Sequence, residues 1–330
     1  MSFLAQLALP PGAQTFLSAA GRSAAALSAE PWFKRCARVA RVLLPAAIVA
    51  YLIYKLSQMG FARIWQSVPA SPLFYAVLLL SYLVQPVGDL LVYRQLWPGE
   101  NPPGLGIFLK KRVINNALLS YSGEVYLFLW ARRNLGIPAQ LLTHSIKDSN
   151  ILSGAVAVLA VLGLLGGLAL TGNWHIPAIA PEDKWIFFAA ACLPLVLSLG
   201  LIFARRRFTV LHHRQIFAVF AIHAMRNVLG QVLLVWLWTL AVPSVALAAW
   251  LNFLALRLLL SHAYFLPNRN LFVLTAEIGL AASMGLPEVA VAAALLTISA
   301  GYQAMHAATM GVLPVRGALR KATDEDPSAV

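Results

Sequence analysis

Five charged side chains stand inside long apolar runs of this 330-residue chain: Asp89, Glu124, Arg226, Arg257 and Glu277. A charge at the centre of a hydrocarbon layer costs about 2.5–3.5 kcal/mol on an insertion scale, so each is expected to face protein or a water-filled cavity. The residue types set the chemistry on offer. A guanidinium forks onto a phosphate through two N–H groups, which makes Arg226 and Arg257 candidate phosphate ligands. Equally, each arginine neutralises one of the buried acids. Glu124 and Glu277 are candidates for contacting a cationic group or relaying a proton, and a structural ion pair is the other reading of both. Asp89, in Pro86-Val87-Gly88-Asp89, lies near the end of its run and is read as a partner of Arg94 or a loop residue, with a binding role as the alternative. Taken together, the acids and arginines outline one polar path through apolar surroundings.

The elements that position these groups are expected to be membrane helices. The chain is 60% hydrophobic and 11% charged, against about 25% charged residues in a soluble domain, and its mean hydropathy is +0.75. The expected fold class is all-α, a polytopic helical membrane protein with seven or eight transmembrane helices and one or two re-entrant helices. The formal net charge of +13 comes from residues placed mostly in short loops, where they set topology and meet anionic lipid. No basic and aromatic surface interleaves outside the apolar runs, so nucleic acid is not an expected partner. Cys36 and Cys192 imply neither a disulfide framework nor a metal cluster.

The segment from Leu105 to Asn150 organises the rest. Lys110, Lys111 and Arg112 precede its apolar part, Arg132 and Arg133 follow, and only 19 residues lie between. Positive loops stay on one side of a membrane, so the segment is expected to dip in at about 107–130 and return, with its backbone buried in protein or facing a cavity. Glu124 falls in that dip. Around it, spans are expected at about 42–57, 71–92, 150–170, 185–203, 216–240 and 244–261. Lys34, Arg35, Arg38 and Arg41 place the N-terminus inside, and Arg205-Arg206-Arg207 mark the cytoplasmic side again. Asp148, Ser149 and Asn150 are read as an N-cap opening the third span. Trp65, Trp97, Trp130, Trp174 and Trp185 are read as interfacial anchors.

Gly285-Leu286-Pro287 splits the last apolar stretch into pieces at about 271–285 and 288–311. The first, at about 15 residues and about 22 Å, is short of a ~30 Å core. Either both pieces cross, or the first is a second re-entrant helix; the basic C-terminus (Arg316, Arg320, Lys321) favours the former. Gly136-Ile137-Pro138 with Glu124 upstream parallels Gly285-Leu286-Pro287 with Glu277 upstream, a weak internal repeat of the kind that marks a central site in transporters. Residues 1–33 are expected to form a flexible tail, 34–315 a single membrane domain and 316–330 a C-terminal tail.

The order of these motifs resembles the transmembrane region of the lysylphosphatidylglycerol synthase and flippase family. Leu119-Ser120-Tyr121-Ser122-Gly123-Glu124-Val125-Tyr126 stands in the place of the family's glycine-rich acidic motif, with Glu124 at the acidic position. Ser145-Ile146-Lys147-Asp148-Ser149-Asn150 stands at the head of the long span, with Asp148 at the acidic position. Leu266-Pro267-Asn268-Arg269, Ala276-Glu277 and Gly285-Leu286-Pro287-Glu288 follow in the C-terminal part. The leading proline, one of the paired glycines and the arginine after the acid are absent from the first motif, and Ala276 stands where the second has arginine. No soluble aminoacyl-transferase domain follows, so lipid aminoacylation is not expected.

The resemblance implies a protein of a bacterial inner membrane that binds and translocates a membrane lipid or a polyprenyl- or isoprenoid-linked lipid. A non-catalytic scaffold working with lipid-biosynthesis enzymes is one alternative. An integral-membrane transferase using Glu124 or Asp89 as a base is another. His223, His262 and His306 stand singly, without the spacing of a zinc site. There is no P-loop, dinucleotide fingerprint or Gly-x-Ser-x-Gly elbow, and no cofactor is expected.

Overall fold

The computed structural model describes residues 46–97, 99, 102–117, 121–173, 212–261 and 269–312, and these are helical with no strand among them. The helices are α1 (Ala46–Met59), α2 (Phe61–Gln66), α3 (Pro72–Leu96), α4 (Leu105–Ala117), α5 (Ser122–Leu135), α6 (Ala139–Leu170), α7 (His213–Ala241), α8 (Leu247–Ser261), α9 (Arg269–Ala281) and α10 (Glu288–Val312). Four of them, α3, α6, α7 and α10, are long and apolar enough to cross a membrane; α1, α8 and α9 are apolar but shorter. The expected span at 185–203, Arg205 to Arg207, Trp174, Trp185, His262 and both tails lie outside the described residues.

Punctuation in the sequence sets the helix ends. Pro72 opens α3, where its missing N–H is no loss. Gly136 closes α5 at φ 63 and Gly285 follows α9 at φ 67, a left-handed conformation that glycine adopts without a Cβ penalty. A proline comes two residues after each glycine, and a long helix begins directly after it. The expected N-cap at Asp148 to Asn150 is corrected here. Helix α6 already starts at Ala139, behind Pro138, so the polar triplet lies inside a 32-residue helix.

Packing gives each helix a direction. At one end of the bundle Val92, Tyr93 and Leu96 of α3 share a core with Val219 of α7 and Ile146 of α6. At the other end Phe74, Val77 and Leu78 share a core with Leu233, Leu237 and Trp238. Helices α3 and α7 are therefore antiparallel. Trp97 donates its indole N–H to Ser145 Oγ at 2.9 Å, which seats the start of α6 at the first end. The expectation of Trp97 as an interfacial anchor is thereby overturned: it is buried in a helix junction, whereas Trp65 is exposed. Helix α10 starts in the second core with Val291 and Leu295. Its Tyr302 and His306 then reach Ser81 and Tyr82, so it runs parallel to α3.

Between these rods lie two half-length hairpins. Helix α4 runs back along α3: the Phe108 ring stacks on Tyr93 at 5.6 Å, Lys111 reaches Asp89 and Arg112 donates to the Tyr82 carbonyl. With 13 residues it is about 20 Å long and ends level with the middle of α3; α5 returns alongside it. Helices α8 and α9 form the second hairpin, entered from the opposite end. Trp250 and Phe253 of α8 pack on Trp238, Asn252 donates to the carbonyl of Asn173 just past α6, and Arg257 pairs with Glu277 across the hairpin. The start of α9 meets the end of α4, where Asn270 donates to Asn116 Oδ1 at 2.9 Å. Among the described residues the order long helix, hairpin and long helix thus occurs twice, in opposite directions: α3 to α6, and α7 to α10.

The first hairpin depends on Gly123. A Cβ there would lie 2.3 Å from the Lys111 carbonyl oxygen, a backbone atom that cannot swing away, and 2.9 Å from the Asn115 side chain. Alanine at a helix position gains up to about 1 kcal/mol of propensity over glycine, while a clash of this kind costs about 1–3 kcal/mol. The clash wins. Gly123→Ala is expected to lower the unfolding temperature in detergent, whereas Gly154→Ala in α6, where a Cβ meets nothing within 4 Å, is expected to leave it unchanged or raise it.

Candidate functional site

Asp89 is the hub of the polar interior. Its carboxylate is buried and accepts from two cations on two different helices: Lys111 of α4 at 2.8 Å and Arg226 of α7. The expected pairing with Arg94 is overturned. Neighbours on a helix face stand three or four residues apart; Arg94 is five away, and it points to the exposed side of the last turn. Gly88 makes the hub accessible, since a Cβ there would lie 2.4 Å from Arg226 Cδ.

From Asp89 the network runs two ways. Through Lys111, whose side chain is only 7% exposed, it reaches Glu124 at 3.3 Å. Asn115, one helical turn beyond Lys111, donates to Glu124 Oε2 at 2.9 Å and accepts from the backbone N–H of Gly123 at 2.7 Å. One amide thus fixes both the carboxylate and the start of α5. Through Arg226 the network reaches Ser153 Oγ of α6 at 2.9 Å. One turn earlier on α6 and α7, Ser149 and His223 Nε2 are 3.1 Å apart. Buried around this centre, His223 Nδ1 and Asn227 Oδ1 make no hydrogen bond among the described residues. That is costly for polar atoms unless something else fills their valences.

Glu277 and Arg257 form a second unit that shares no residue with the first. Arg257 Nη1 lies 2.6 and 2.7 Å from the two carboxylate oxygens. Glu277 is 1% exposed and Arg257 is 31% exposed by side chain. The pair braces the second hairpin as Asn115 and Glu124 brace the first. Of the five charged residues singled out in the sequence, Asp89, Arg226 and Glu124 are therefore brought together, and Glu277 with Arg257 stand apart from them. Among the described residues these five are seen as two units rather than one continuous path.

A third group lies where the hairpins meet. Arg112 has its Cζ 4.4 Å from the Tyr82 ring centroid and 5.3 Å from that of Tyr302. Tyr82 is tied to His306 Nδ1 and Tyr302 to Ser81 Oγ, each at 2.9 Å. Lys111, Arg112, Asn115 and this aromatic set were missed as site residues in the sequence, where Lys110-Lys111-Arg112 read as a topology marker. The available signal was helical register: Phe108, Lys111 and Asn115 fall on one face of α4, and Arg112 falls on the next.

Removing one partner of a buried ion pair strands the other charge, at about 3–5 kcal/mol, while removing both costs far less. Asp89→Asn and Arg226→Gln are each expected to destabilise the purified protein strongly. The double variant is expected to be more stable than the sum of the two losses predicts, as read by a double-mutant cycle on thermal unfolding. Strict additivity would remove the ion pair from the account. No family model, curated protein or solved structure matches this chain.

Proposed function

We propose that this chain is a multi-pass protein of a bacterial inner membrane that binds a lipid or lipid-linked intermediate and moves its headgroup across the bilayer. The observation that carries the reading is the meeting of two half-length hairpins, entered from opposite ends of an apolar bundle, at polar side chains beside a buried charge network. Short helices in matching, inverted halves are the pattern of transporters whose substrate site lies at mid-membrane. Non-helical backbone at that depth is tolerated only where it is enclosed by protein or lines a cavity.

In this reading α3, α6, α7 and α10 cross the membrane fully, and α4–α5 and α8–α9 are both re-entrant. The end bearing Arg94, Lys110, Arg132 and Arg133 faces the cytoplasm by its positive charge. The C-terminal end of α10 points to that same side, and a cytoplasmic N-terminus requires one further crossing before α3. The headgroup passes between the hairpin tips while the acyl or polyprenyl tails remain in lipid. His223 Nδ1 and Asn227 Oδ1, without a hydrogen-bond partner among the described residues, supply hydrogen-bonding capacity next to the path.

One observation favours a scaffold instead: Asp89, Glu124 and Glu277 each have a cation partner within the protein, as a purely structural network requires. A transferase draws less support. Asp89 already accepts from Lys111 and Arg226, which leaves it a poor base for a lipid hydroxyl.

Transport and scaffold are separated by Glu124→Gln, which keeps the Asn115 contact and removes the charge. In liposomes reconstituted with equal amounts of folded protein, translocation of a fluorescent-headgroup phospholipid is expected to fall about tenfold, the worth of one charged hydrogen bond. Wild-type rates in the variant, or no translocation by the wild type, would turn the reading toward the scaffold.

A further inference from the structure

Arg112 differs from the other cations of the helix interior. Lys111, Arg226 and Arg257 each meet a carboxylate, whereas Arg112 makes no ion pair among the described residues. One Nη1 hydrogen goes to the Tyr82 carbonyl at 2.7 Å, and among the described residues no carboxylate meets the rest of the guanidinium fork. Among the described residues of this cluster, three cations, Lys111, Arg112 and Arg226, therefore stand against two carboxylates, Asp89 and Glu124, an excess of one positive charge. Holding such a charge among apolar helices is costly. The charge is held in place all the same, and the way it is held is informative.

The Tyr82 and Tyr302 ring centroids are 5.8 Å apart. A sandwich would separate them by nearly the two cation-to-ring distances combined, so the rings lie on one side of the guanidinium as a cradle. Each ring is locked by its own hydrogen bond, to His306 and to Ser81. Asn116, one turn after Arg112, lies within 3.5 Å of Gln303 and accepts from Asn270. The amides at the two hairpin tips thus border the same place. A planar fork held against two ring faces, with surplus positive charge in its cluster and neighbouring amide donors, is complementary to a phosphate group.

We infer that Arg112, cradled by Tyr82 and Tyr302 and bordered by Asn116, Asn270 and Gln303, is the phosphate-binding site of this protein. Resting on the lipid reading above, it names the substrate class as lipids whose headgroup carries a phosphate. Arg226 and Arg257, each occupied by an acid, are not the phosphate ligands. The same fork would accept a free phosphate, and the probes must separate the two sources.

The test is thermal unfolding of the full chain in detergent with added phosphatidic acid, diacylglycerol or inorganic phosphate. The first two differ only in the phosphate. Phosphatidic acid is expected to stabilise the wild type and diacylglycerol is not. Arg112→Gln is expected to weaken the half-saturating concentration of phosphatidic acid roughly ten- to hundredfold, the worth of a charge-assisted contact. Arg112→Lys, which keeps charge without the fork, is expected to fall between and covers the case in which the glutamine variant does not fold. Equal stabilisation by phosphatidic acid in wild type and both variants would overturn the assignment of Arg112 and leave the lipid reading intact. Equal effects of phosphatidic acid and diacylglycerol would overturn the phosphate specificity. Stabilisation by inorganic phosphate that matches phosphatidic acid and is lost in Arg112→Gln would keep the site and overturn the lipid reading.

Discussion

The structure depends on one carboxylate. Asp89 is buried on α3 and holds a cation from α4 and a cation from α7, which ties the first hairpin and the antiparallel partner helix to the same point. In a membrane the apolar effect does not distinguish helix from lipid, so association falls to packing, small residues and polar contacts. Asp89 supplies the polar contact and Gly88 the close approach, since only the absence of a Cβ leaves room for the Arg226 stem. Glu124 and Asn115 extend the same logic to the turn of α5. An acid at this position would be intolerable alone, and two cations without it would be worse. The network holds as a unit.

The chain's two halves solve the same problem with different residues. Each has a short hairpin that a carboxylate braces, a left-handed glycine and proline that end it, and a long helix that follows. In the first half the brace is Glu124 with Lys111 and Asn115; in the second it is Glu277 with Arg257. The halves enter from opposite ends and meet at Asn116 and Asn270. The phosphate fork proposed for Arg112 stands beside this meeting point of the two hairpins.

How much of this was legible in the sequence follows from where the charges sit. The first hairpin was readable because both of its mouths carry arginines and lysines, an arrangement a single crossing forbids. The second was only half readable: its mouths at Val242–Ala246 and Ala282–Pro287 carry no lysine or arginine, so nothing in the pattern separated α8 as a crossing from α8 as one arm of a hairpin. The Gly-x-Pro breaks were visible as stops because glycine and proline act through the backbone alone. The start of α6 was placed about eleven residues late, at 150 instead of Ala139, because Asp148-Ser149-Asn150 has the composition of a cap, although Ser149 faces His223 from within the helix. Lys111 was hidden beside Lys110 and Arg112. A run of three cations reads as a loop marker, and only the 100° step of a helix, which depends on where that helix begins, sends them to three different environments.

The claim on which the account rests is that the two hairpin tips meet within the bundle, and cross-linking tests it most directly. With Cys36 and Cys192 replaced by serine, Asn116→Cys and Asn270→Cys would be combined and treated in native membranes with a short bifunctional thiol reagent. Asn134→Cys with Asn270→Cys serves as the pair from opposite ends of the first hairpin. The account predicts efficient cross-linking of 116 with 270 and none of 134 with 270. Cross-linking of 134 with 270, and its absence between 116 and 270, would place α9 at the mouth of the first hairpin rather than at its tip and contradict the arrangement.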